Sequence, residues 1–381
     1  MAEPAARQRP RGPAGDLLRR DVLLAERTTL EIGGAARWWA RVEEPATLGE
    51  LVRWAGAQGL PLTILGGGSN LLVADGGFDG LVIELGWKGV DVERQPGGAR
   101  LRVGAGVPWD ALVATTVEAG LGGLECLSGI PGRVGAAPIQ NIGAYGQEVA
   151  EHLHAVEVFD LERGRVERLL ASDCGFGYRW SHFKGAWRGR YVVLGVELEL
   201  PATEIGTVRY RDLEKRFELA PGDPRPSVAA VREAVLEVRR SKSMVLDPED
   251  PNRRSAGSFF VNPVVDPAMA AEALRRFREA GGEGEMPAYP AAEGRTKLAA
   301  AWLIERAGFE RGHRQGRVGL SSRHTLALIN RGGATARELL GLAATIRTGV
   351  RERFGVSLEP EPVFLGFDAP VEELLDDPSR A

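Results

Sequence analysis

The stretch Leu65-Gly66-Gly67-Gly68-Ser69-Asn70-Leu71-Leu72-Val73 places three glycines, a serine and an asparagine between two apolar segments. Those segments, residues 61–65 and 71–73, predict short buried strands. Glycine has no Cβ and adopts positive φ, so backbone N–H groups can crowd around a bound group at such a turn. A concave row of N–H groups suits an anion, most often a phosphate. A tight glycine turn without a ligand explains the stretch equally well, because short motifs often occur by chance. The stretch matches neither a Walker loop nor the dinucleotide-binding fingerprint.

Length and composition restrict the class of protein. At 381 residues, with 44% hydrophobic and 26% charged residues, the chain has the composition of a globular protein with two or three domains. The net charge of −4 gives no general electrostatic reason to bind nucleic acid or an anionic membrane. The two cysteines, Cys126 and Cys174, form no disulfide framework and no metal-binding spacing. The first twenty residues lack the apolar core of a secretory signal, so we expect a mobile N-terminal tail and a cytoplasmic location.

A second glycine-rich segment, residues 127–146, is unusual in its composition. It contains too many glycines and prolines to form one regular element, yet it is too apolar to be a solvated loop. Backbone packed against a flat ligand explains both properties, and a purely structural crossover is the alternative. Helical periodicity marks residues 45–59, 109–119, 227–240, 267–280, 297–307 and 335–354. Strands are predicted at residues 36–42, 80–85, 155–159, 165–169, 191–200 and 325–329.

Five segments follow one another in the order and approximate spacing of a known family. They are residues 65–73, 128–146, 176–179, 255–263 and 358–361. The chain resembles the UDP-N-acetylenolpyruvoylglucosamine reductases (the MurB family), flavoenzymes that complete UDP-N-acetylmuramate in peptidoglycan synthesis. The resemblance extends from about Thr28 to Gly366, and the loop at Tyr210 is similar to that of the longer of the family's two subtypes.

The resemblance implies an α+β fold in which two lobes form an FAD-binding domain of the vanillyl-alcohol-oxidase (PCMH) type. A third α+β lobe would bind the substrate. The resulting division is a tail at 1–22, lobe 1 at 23–85 completed by about 359–370, lobe 2 at 86–241, a substrate domain at 242–358 and an acidic tail at 371–381.

The resemblance also implies non-covalent FAD, with NADPH as the hydride donor. The glycine loop would cradle the pyrophosphate, and the second segment would line the flavin. The implied cofactor residues are Gly66, Gly67, Gly68, Ser69, Asn70, Leu71, Ser128, Gly129, Ile130, Pro131, Gly132, Val134, Gly135, Gly143, Ala144 and Tyr145.

Three residues match the family's catalytic positions. Hydride would reach C3 of the enolpyruvyl ether and a proton would reach C2, which requires fixed positive charge and an acid. Arg179 would bind the substrate carboxylate, Ser258 would protonate C2 and Glu361 would assist it. Without the resemblance, these are a surface arginine, a turn serine and a strand-end carboxylate. Pro362 biases Glu361 toward extended backbone.

The UDP end of the substrate would meet Tyr210, Arg239, Lys242, Asn262 and Lys297 by the same resemblance. Lys242 alone would be interpreted as a cation at a solvated helix end. No metal is implied, and the expected partners are UDP-N-acetylglucosamine-enolpyruvate and NADPH, with the chain a monomer that binds no nucleic acid and no membrane. A flavin-dependent oxidase or dehydrogenase of the same fold, and a non-catalytic nucleotide-sugar binder, are the alternative functions.

Overall fold

The computed structural model describes residues 13–220 and 223–378. The helices are α1 (Pro13–Leu17), α2 (Pro45–Ala57), α3 (Trp109–Glu118), α4 (Arg211–Phe217), α5 (Val228–Ser241), α6 (Pro267–Glu279), α7 (Ala300–Arg306), α8 (Ala336–Phe354) and α9 (Val371–Asp376). The strands are β1 (Arg19–Leu23), β2 (Ala35–Val42), β3 (Leu62–Leu65), β4 (Leu71–Val73), β5 (Phe78–Leu85), β6 (Val90–Gln95), β7 (Gly98–Gly104), β8 (Gly143–Ala144), β9 (Gln147–Glu148), β10 (Leu153–Asp160), β11 (Arg165–Leu170), β12 (Tyr191–Pro201), β13 (Val264–Val265), β14 (Ala288–Pro290), β15 (Thr296–Leu298), β16 (Arg314–Gln315), β17 (Val318–Leu320), β18 (Leu328–Asn330) and β19 (Val363–Leu365). None of these helices is both long enough and apolar enough to cross a membrane.

The described residues form two compact units. The first contains residues 13–22, 36–67, 79–220 and 223–246, and the second contains residues 23–35, 68–78 and 247–378. This division differs from the predicted lobes, because residues 23–35, 68–78 and 359–370 belong with the second unit. The reason is packing: Leu30, Ile32 and Leu72 are buried in the core of the second unit, and β19 pairs in parallel with β4.

The first unit is built on two sheets. One has the strand order β1-β2-β5-β3, and the other is the antiparallel sheet β11-β10-β12-β7-β6. Helix α2 buries Leu48 and Leu51, which recur at helical spacing, in the core beside the first sheet. Trp38 and Trp54 meet edge to face there, with ring centres 5.4 Å apart. The long strand β12 is central in the second sheet, where it pairs with both β10 and β7.

The second unit is organised around α8. This helix begins with a capping box formed by Thr335 and Glu338, and it ends where Gly355 adopts a φ of 72°. Its apolar face is buried over its whole length, and the ring centre of Phe354 lies 6.1 Å from that of Phe277 in α6. Leu303 and Ile304 of α7 complete this core. Amphipathic periodicity therefore predicted α8 correctly, because the helix covers a large apolar surface.

Two predicted elements of the second unit are wrong in type or extent. Lys297 does not begin a helix but lies in β15, where it pairs with Val264 of β13 and Tyr289 of β14. The helix starts only at Ala300. The strand predicted at residues 325–329 is the shorter β18, Leu328–Asn330. Pairing with distant strands decided both cases, and such pairing leaves little trace in local periodicity.

The predicted tails are wrong where the structure describes them. Residues 1–12 lie outside the described residues, but residues 13–22 include α1 and most of β1, with Ala14 and Leu18 buried in the first unit. At the other end α9 buries Leu374 and Leu375 in the core of the second unit. A few apolar residues in each segment therefore outweigh its polar composition.

Candidate active site

The glycine loop between β3 and β4 contains glycine where backbone approaches backbone. In the first unit, a Cβ on Gly67 would lie 2.7 Å from the Cα of Gly132. In the second unit, Gly68 has a φ of 63°, and a Cβ there would overlap the carbonyl oxygen of Arg27. Any side chain at either position would force the backbone apart. The contact between Gly67 and Gly132 also brings together the two segments that were predicted to hold FAD.

A cavity of about 200 Å³ in the first unit joins the same two segments. Gly66 lines it from the glycine loop, and Gly135 lines it from the second segment. The remaining lining residues are mostly apolar: Ile64, Leu65, Leu85, Ala105, Arg133, Ala136, Ile139, Tyr191, Val192 and Val193. Glycine walls, apolar surface and one cation fit part of a nucleotide cofactor such as FAD.

Arg133 is a residue of this cavity that the sequence interpretation missed. Its Nη1 donates to the Gly106 carbonyl oxygen (2.8 Å), and its Nη2 donates to Oε1 of Glu84 (3.3 Å). Glu84 is only 6% exposed and also accepts from Nη1 of Arg41 at 3.3 Å. Arg41 is paired with Glu43 as well, at 3.3 Å, so Arg133 and Arg41 share Glu84 while Arg41 has a second carboxylate. The Arg133 Nε–H is buried and has no partner among the described residues, so this cavity-lining residue keeps one donor for an anionic group.

We expect Arg133→Gln to raise the dissociation constant of FAD about tenfold, because a hydrogen bond to a charged group contributes about 1.5–3 kcal/mol. Titration of the apoprotein with FAD, followed by flavin fluorescence, measures this change. Arg41→Gln is the matched control, since it also removes one arginine from Glu84 but none from the cavity lining. Equal effects of the two variants would show that Arg133 serves only the pairing with Glu84.

Several residues of the second segment hold its own backbone in place. The Ser128 hydroxyl is buried and donates to the Glu125 carbonyl oxygen at 2.6 Å. The Gly129 N–H donates to Oδ1 of Asp110 at 2.6 Å, and Asp110 is also paired with Arg232. Val134 is buried in the core, and Gly143 and Ala144 form β8. Hydrogen bonds within the first unit therefore fix the backbone of this segment. The Ser128 hydroxyl serves that backbone and is already engaged as a donor.

Arg179 lies on a tight turn of the first unit. Its φ is 53°, a left-handed conformation that costs free energy in a residue with a Cβ. Its Nη2 donates to the carbonyl oxygen of Gly143 at 2.8 Å, so the guanidinium reaches the predicted flavin segment. The Asn141 side chain fixes this turn by donating to the Gly177 carbonyl oxygen at 3.0 Å. A strained residue held this firmly is typical of a functional site.

Tyr145, Tyr210 and Lys242 form one cluster in the first unit. The two tyrosine rings meet edge to face at 5.6 Å, and Nζ of Lys242 lies 6.0 Å from the centre of the Tyr145 ring. Lys242 also pairs with Oδ2 of Asp212 at 2.7 Å. Asp212, two residues after Tyr210, was missed because a carboxylate at a helix start is ordinarily interpreted as a solvated charge.

Arg239 adds a second cation beside this cluster. Its Nη2 donates to the Met244 carbonyl oxygen at 2.6 Å, while its Nε is buried without a partner among the described residues. Desolvation lowers the pKa of Arg239, and the nearby Tyr145 opposes that shift. Burial in turn raises the pKa of Tyr145 to about 12, so this phenol stays neutral and can donate a hydrogen bond. Asp110, the carboxylate whose charge acts on Arg239, is itself paired with Arg232, so Arg239 shares its counter-ion, which suits a site for an anionic ligand.

Glu361 and Ser258 are neighbours in the second unit. The Glu361 N–H donates to the Phe259 carbonyl oxygen at 2.8 Å, and the Val261 N–H donates to that of Glu359 at 3.0 Å. Ser258 therefore adjoins the residue that binds the Glu361 backbone. Glu359 is exposed, whereas Glu361 is half-buried.

Asn262 and Lys297 come together at the start of α7. Oδ1 of Asn262 accepts from the Ala300 N–H at 2.9 Å, and the Leu298 N–H donates to the Pro263 carbonyl oxygen at 2.9 Å. The amide oxygen of Asn262 thus satisfies one N–H at the start of α7. Among the described residues, no group of three His, Cys, Asp or Glu side chains could hold a metal ion.

Comparison with known proteins identifies the family. One family model, described as an FAD binding domain, matches residues 37–170. A second, described as the C-terminal domain of UDP-N-acetylenolpyruvoylglucosamine reductase, matches residues 248–365. The chain is 49% identical over 350 residues to the UDP-N-acetylenolpyruvoylglucosamine reductase of Thermobifida fusca, covering 91% of this chain and 98% of that protein. It is 50% identical over 347 residues to that of Saccharopolyspora erythraea, covering 90% and 94%.

A solved structure agrees with these matches. The UDP-N-acetylenolpyruvylglucosamine reductase (MurB) of Thermus caldophilus superposes with a TM-score of 0.61 and 29% identity, covering 91% of this chain and 99% of that one. With the FAD-binding-domain match, it confirms the predicted α+β fold with an FAD-binding domain. The chain belongs to the family of UDP-N-acetylenolpyruvoylglucosamine reductases.

Proposed function

We propose that Arg179, Ser258 and Glu361 carry out the chemistry of this family's reaction. The chain is an FAD-dependent oxidoreductase that uses NADPH to reduce UDP-N-acetylglucosamine-enolpyruvate to UDP-N-acetylmuramate. It thereby serves peptidoglycan synthesis, cell shape and cell division. The observation that carries this conclusion is near-50% identity to reductases of this name over almost their whole length.

When bound, FAD accepts hydride from NADPH and delivers it to C3 of the enolpyruvyl group. We assign the remaining work to the protein. Arg179 binds the substrate carboxylate, because a guanidinium stays charged and its fork matches two carboxylate oxygens. Its positive charge stabilises the negative charge that develops between C2 and the carboxylate. The strained, hydrogen-bonded turn of Arg179 supports this role, since it holds the guanidinium in one place before the substrate arrives.

Ser258 donates the proton to C2 in this proposal, and Glu361 increases its acidity or orients it. A serine hydroxyl is a weak acid, so it needs a neighbouring group to compensate for the proton it gives up. The backbone bond between Glu361 and Phe259, next to Ser258, supports the pairing of these two residues. We further assign Tyr210, Arg239, Lys242, Asn262 and Lys297 to the UDP end of the substrate.

The ion pair between Lys242 and Asp212 bears on the affinity for that end. If Lys242 binds the substrate diphosphate, Asp212 competes for it. We expect Asp212→Asn to lower KM for the enolpyruvyl substrate about threefold with kcat unchanged, because an exposed ion pair is worth about 0.2–1 kcal/mol. Steady-state kinetics at low salt measures the change. Glu237→Gln is the control, since it breaks the exposed pair of Arg216 in the same helix α4 without touching Lys242; a higher KM in Asp212→Asn would contradict the competition.

We infer that the chain works in the cytoplasm as a monomer, without nucleic acid or membrane partners. Its two cysteines are buried thiols, and burial raises the pKa of both Cys126 and Cys174. Unreactive, unpaired thiols suit a reducing compartment. Cell fractionation tests the cytoplasmic location, and light scattering of the purified protein tests the monomeric state.

The absorbance of the flavin under anaerobic conditions tests the proposed function. We expect NADPH to bleach the yellow flavin band and UDP-N-acetylglucosamine-enolpyruvate to restore it. UDP-N-acetylglucosamine, which lacks the enolpyruvyl group, should leave the band bleached. A bleached flavin that the enolpyruvyl substrate does not restore would contradict the assignment, and so would recovery with UDP-N-acetylglucosamine.

A further inference from the structure

Asn70, the last polar residue of the glycine loop, bonds to the segment of Glu361. Its Nδ2 donates to the carbonyl oxygen of Glu361 at 3.3 Å, and its own carbonyl oxygen accepts from the Val363 N–H at 2.9 Å. Leu71 then begins β4, which pairs in parallel with β19. All of these residues belong to the second unit. Asn70 therefore bonds to the main chain on both sides of Pro362.

Pro362 lies between the two main-chain atoms of this segment that bond to Asn70. Proline has no N–H, so the main chain offers no donor at this residue. The ladder with β4 begins at Val363, after it. The amide of Asn70 supplies a donor one residue earlier, at the Glu361 carbonyl oxygen. With its N–H already bound to Phe259, Glu361 is held at both polar atoms of its main chain.

We propose that Asn70 is a positioning residue for Glu361, in addition to its place in the predicted cofactor loop. The amide fixes the main chain from which the carboxylate projects, and it ties that main chain to the glycine loop. The proposal rests on the proposed function, which assigns Glu361 to proton delivery. It goes beyond that function because it gives a residue of the cofactor loop a part in the protonation step.

The two half-reactions separate this role from cofactor binding. Glu361 acts only when C2 is protonated, so a residue that acts through Glu361 affects oxidation of the flavin by substrate and not its reduction by NADPH. A pure cofactor ligand would instead change FAD affinity and both half-reactions. Misplacement of a catalytic group by about 1 Å can cost about 100-fold in rate, which sets the scale of the expected effect.

Stopped-flow kinetics on the FAD-loaded enzyme tests the proposal with Asn70→Ala, Glu361→Gln and the double variant. For Asn70→Ala we expect flavin reoxidation by the enolpyruvyl substrate to slow about 10- to 100-fold. Flavin reduction by NADPH, measured with FAD saturating, should stay within about twofold of wild type, whatever the change in FAD affinity. The double variant should reoxidise as slowly as Glu361→Gln and no slower, because residues that act as one unit are not additive.

Control variants separate the possible failures. Glu359→Gln alters the neighbouring exposed carboxylate and should reoxidise at the wild-type rate. Asn70→Ser keeps a shorter hydrogen-bond donor, so its flavin reoxidation should be slowed less than that of Asn70→Ala. If the alanine variant does not fold, Asn70→Ser takes its place in the experiment. Wild-type reoxidation in Glu361→Gln would overturn the proposed function. Two results would overturn only the role of Asn70. One is slow reoxidation in Glu361→Gln with additive effects in the double variant, and the other is slower flavin reduction by NADPH in Asn70→Ala.

Discussion

Replacing Ser258 by alanine is expected to slow flavin reoxidation by the enolpyruvyl substrate about 100- to 10,000-fold, the usual contribution of a positioned acid. Flavin reduction by NADPH should keep the wild-type rate, because no proton is needed at C2 in that step. Stopped-flow absorbance of the flavin band resolves the two rates in one sample. The comparison isolates the hydroxyl, since the change removes a single oxygen atom from a half-buried side chain.

Ser255→Ala is the matched control for that experiment. Ser255 lies in the same segment, where its Oγ accepts from the Gly257 N–H at 3.4 Å, so its hydroxyl serves the local turn. We expect a small loss of stability and an unchanged rate of reoxidation in this variant. If Ser258→Ala reoxidises at the wild-type rate, the proton reaches C2 from another group. If both serine variants are slowed equally, the effect comes from the fold of the segment.

Replacing Arg179 by leucine is expected to lower kcat about 100- to 1,000-fold, the cost of losing one preorganised donor to developing negative charge. Arg179→Lys should recover part of this loss, because lysine keeps the charge but not the two-pronged geometry. The bond from Arg179 to Gly143 also ties the guanidinium to the predicted flavin segment, so FAD affinity has to be measured alongside kcat. Steady-state kinetics with saturating FAD separates the two contributions.

The control for Arg179 is Arg188→Leu. Arg188 is an exposed arginine a few residues later, so its loss changes the net charge equally without touching the turn. We expect wild-type kcat in this variant. A kcat for Arg179→Leu within a few-fold of wild type would place the carboxylate elsewhere, and Arg239, whose Nε is buried without a partner among the described residues, would be the next candidate.

Local sequence determined the features that depend on neighbours along the chain. Helices α2, α5 and α8 follow from apolar residues at helical spacing, and the strands on either side of the glycine loop follow from short apolar runs. The glycines at 67 and 68 mark close backbone approach, which the structure contains at both. The family and its reaction followed from the order of five motifs, and the comparisons confirm them.

Tertiary structure alone decided the features that depend on residues far apart in the chain. Lys297 lies in a strand because Val264 and Tyr289 pair with it, and Arg133 joins the cavity because Glu84 and Gly106 hold its guanidinium. The pairing of Lys242 with Asp212 has the same origin, across a gap of 30 residues. The bond from Asn70 to Glu361 spans 291 residues. A hydrogen bond or ion pair of this kind imposes no periodicity on the sequence, so only the folded chain reveals it.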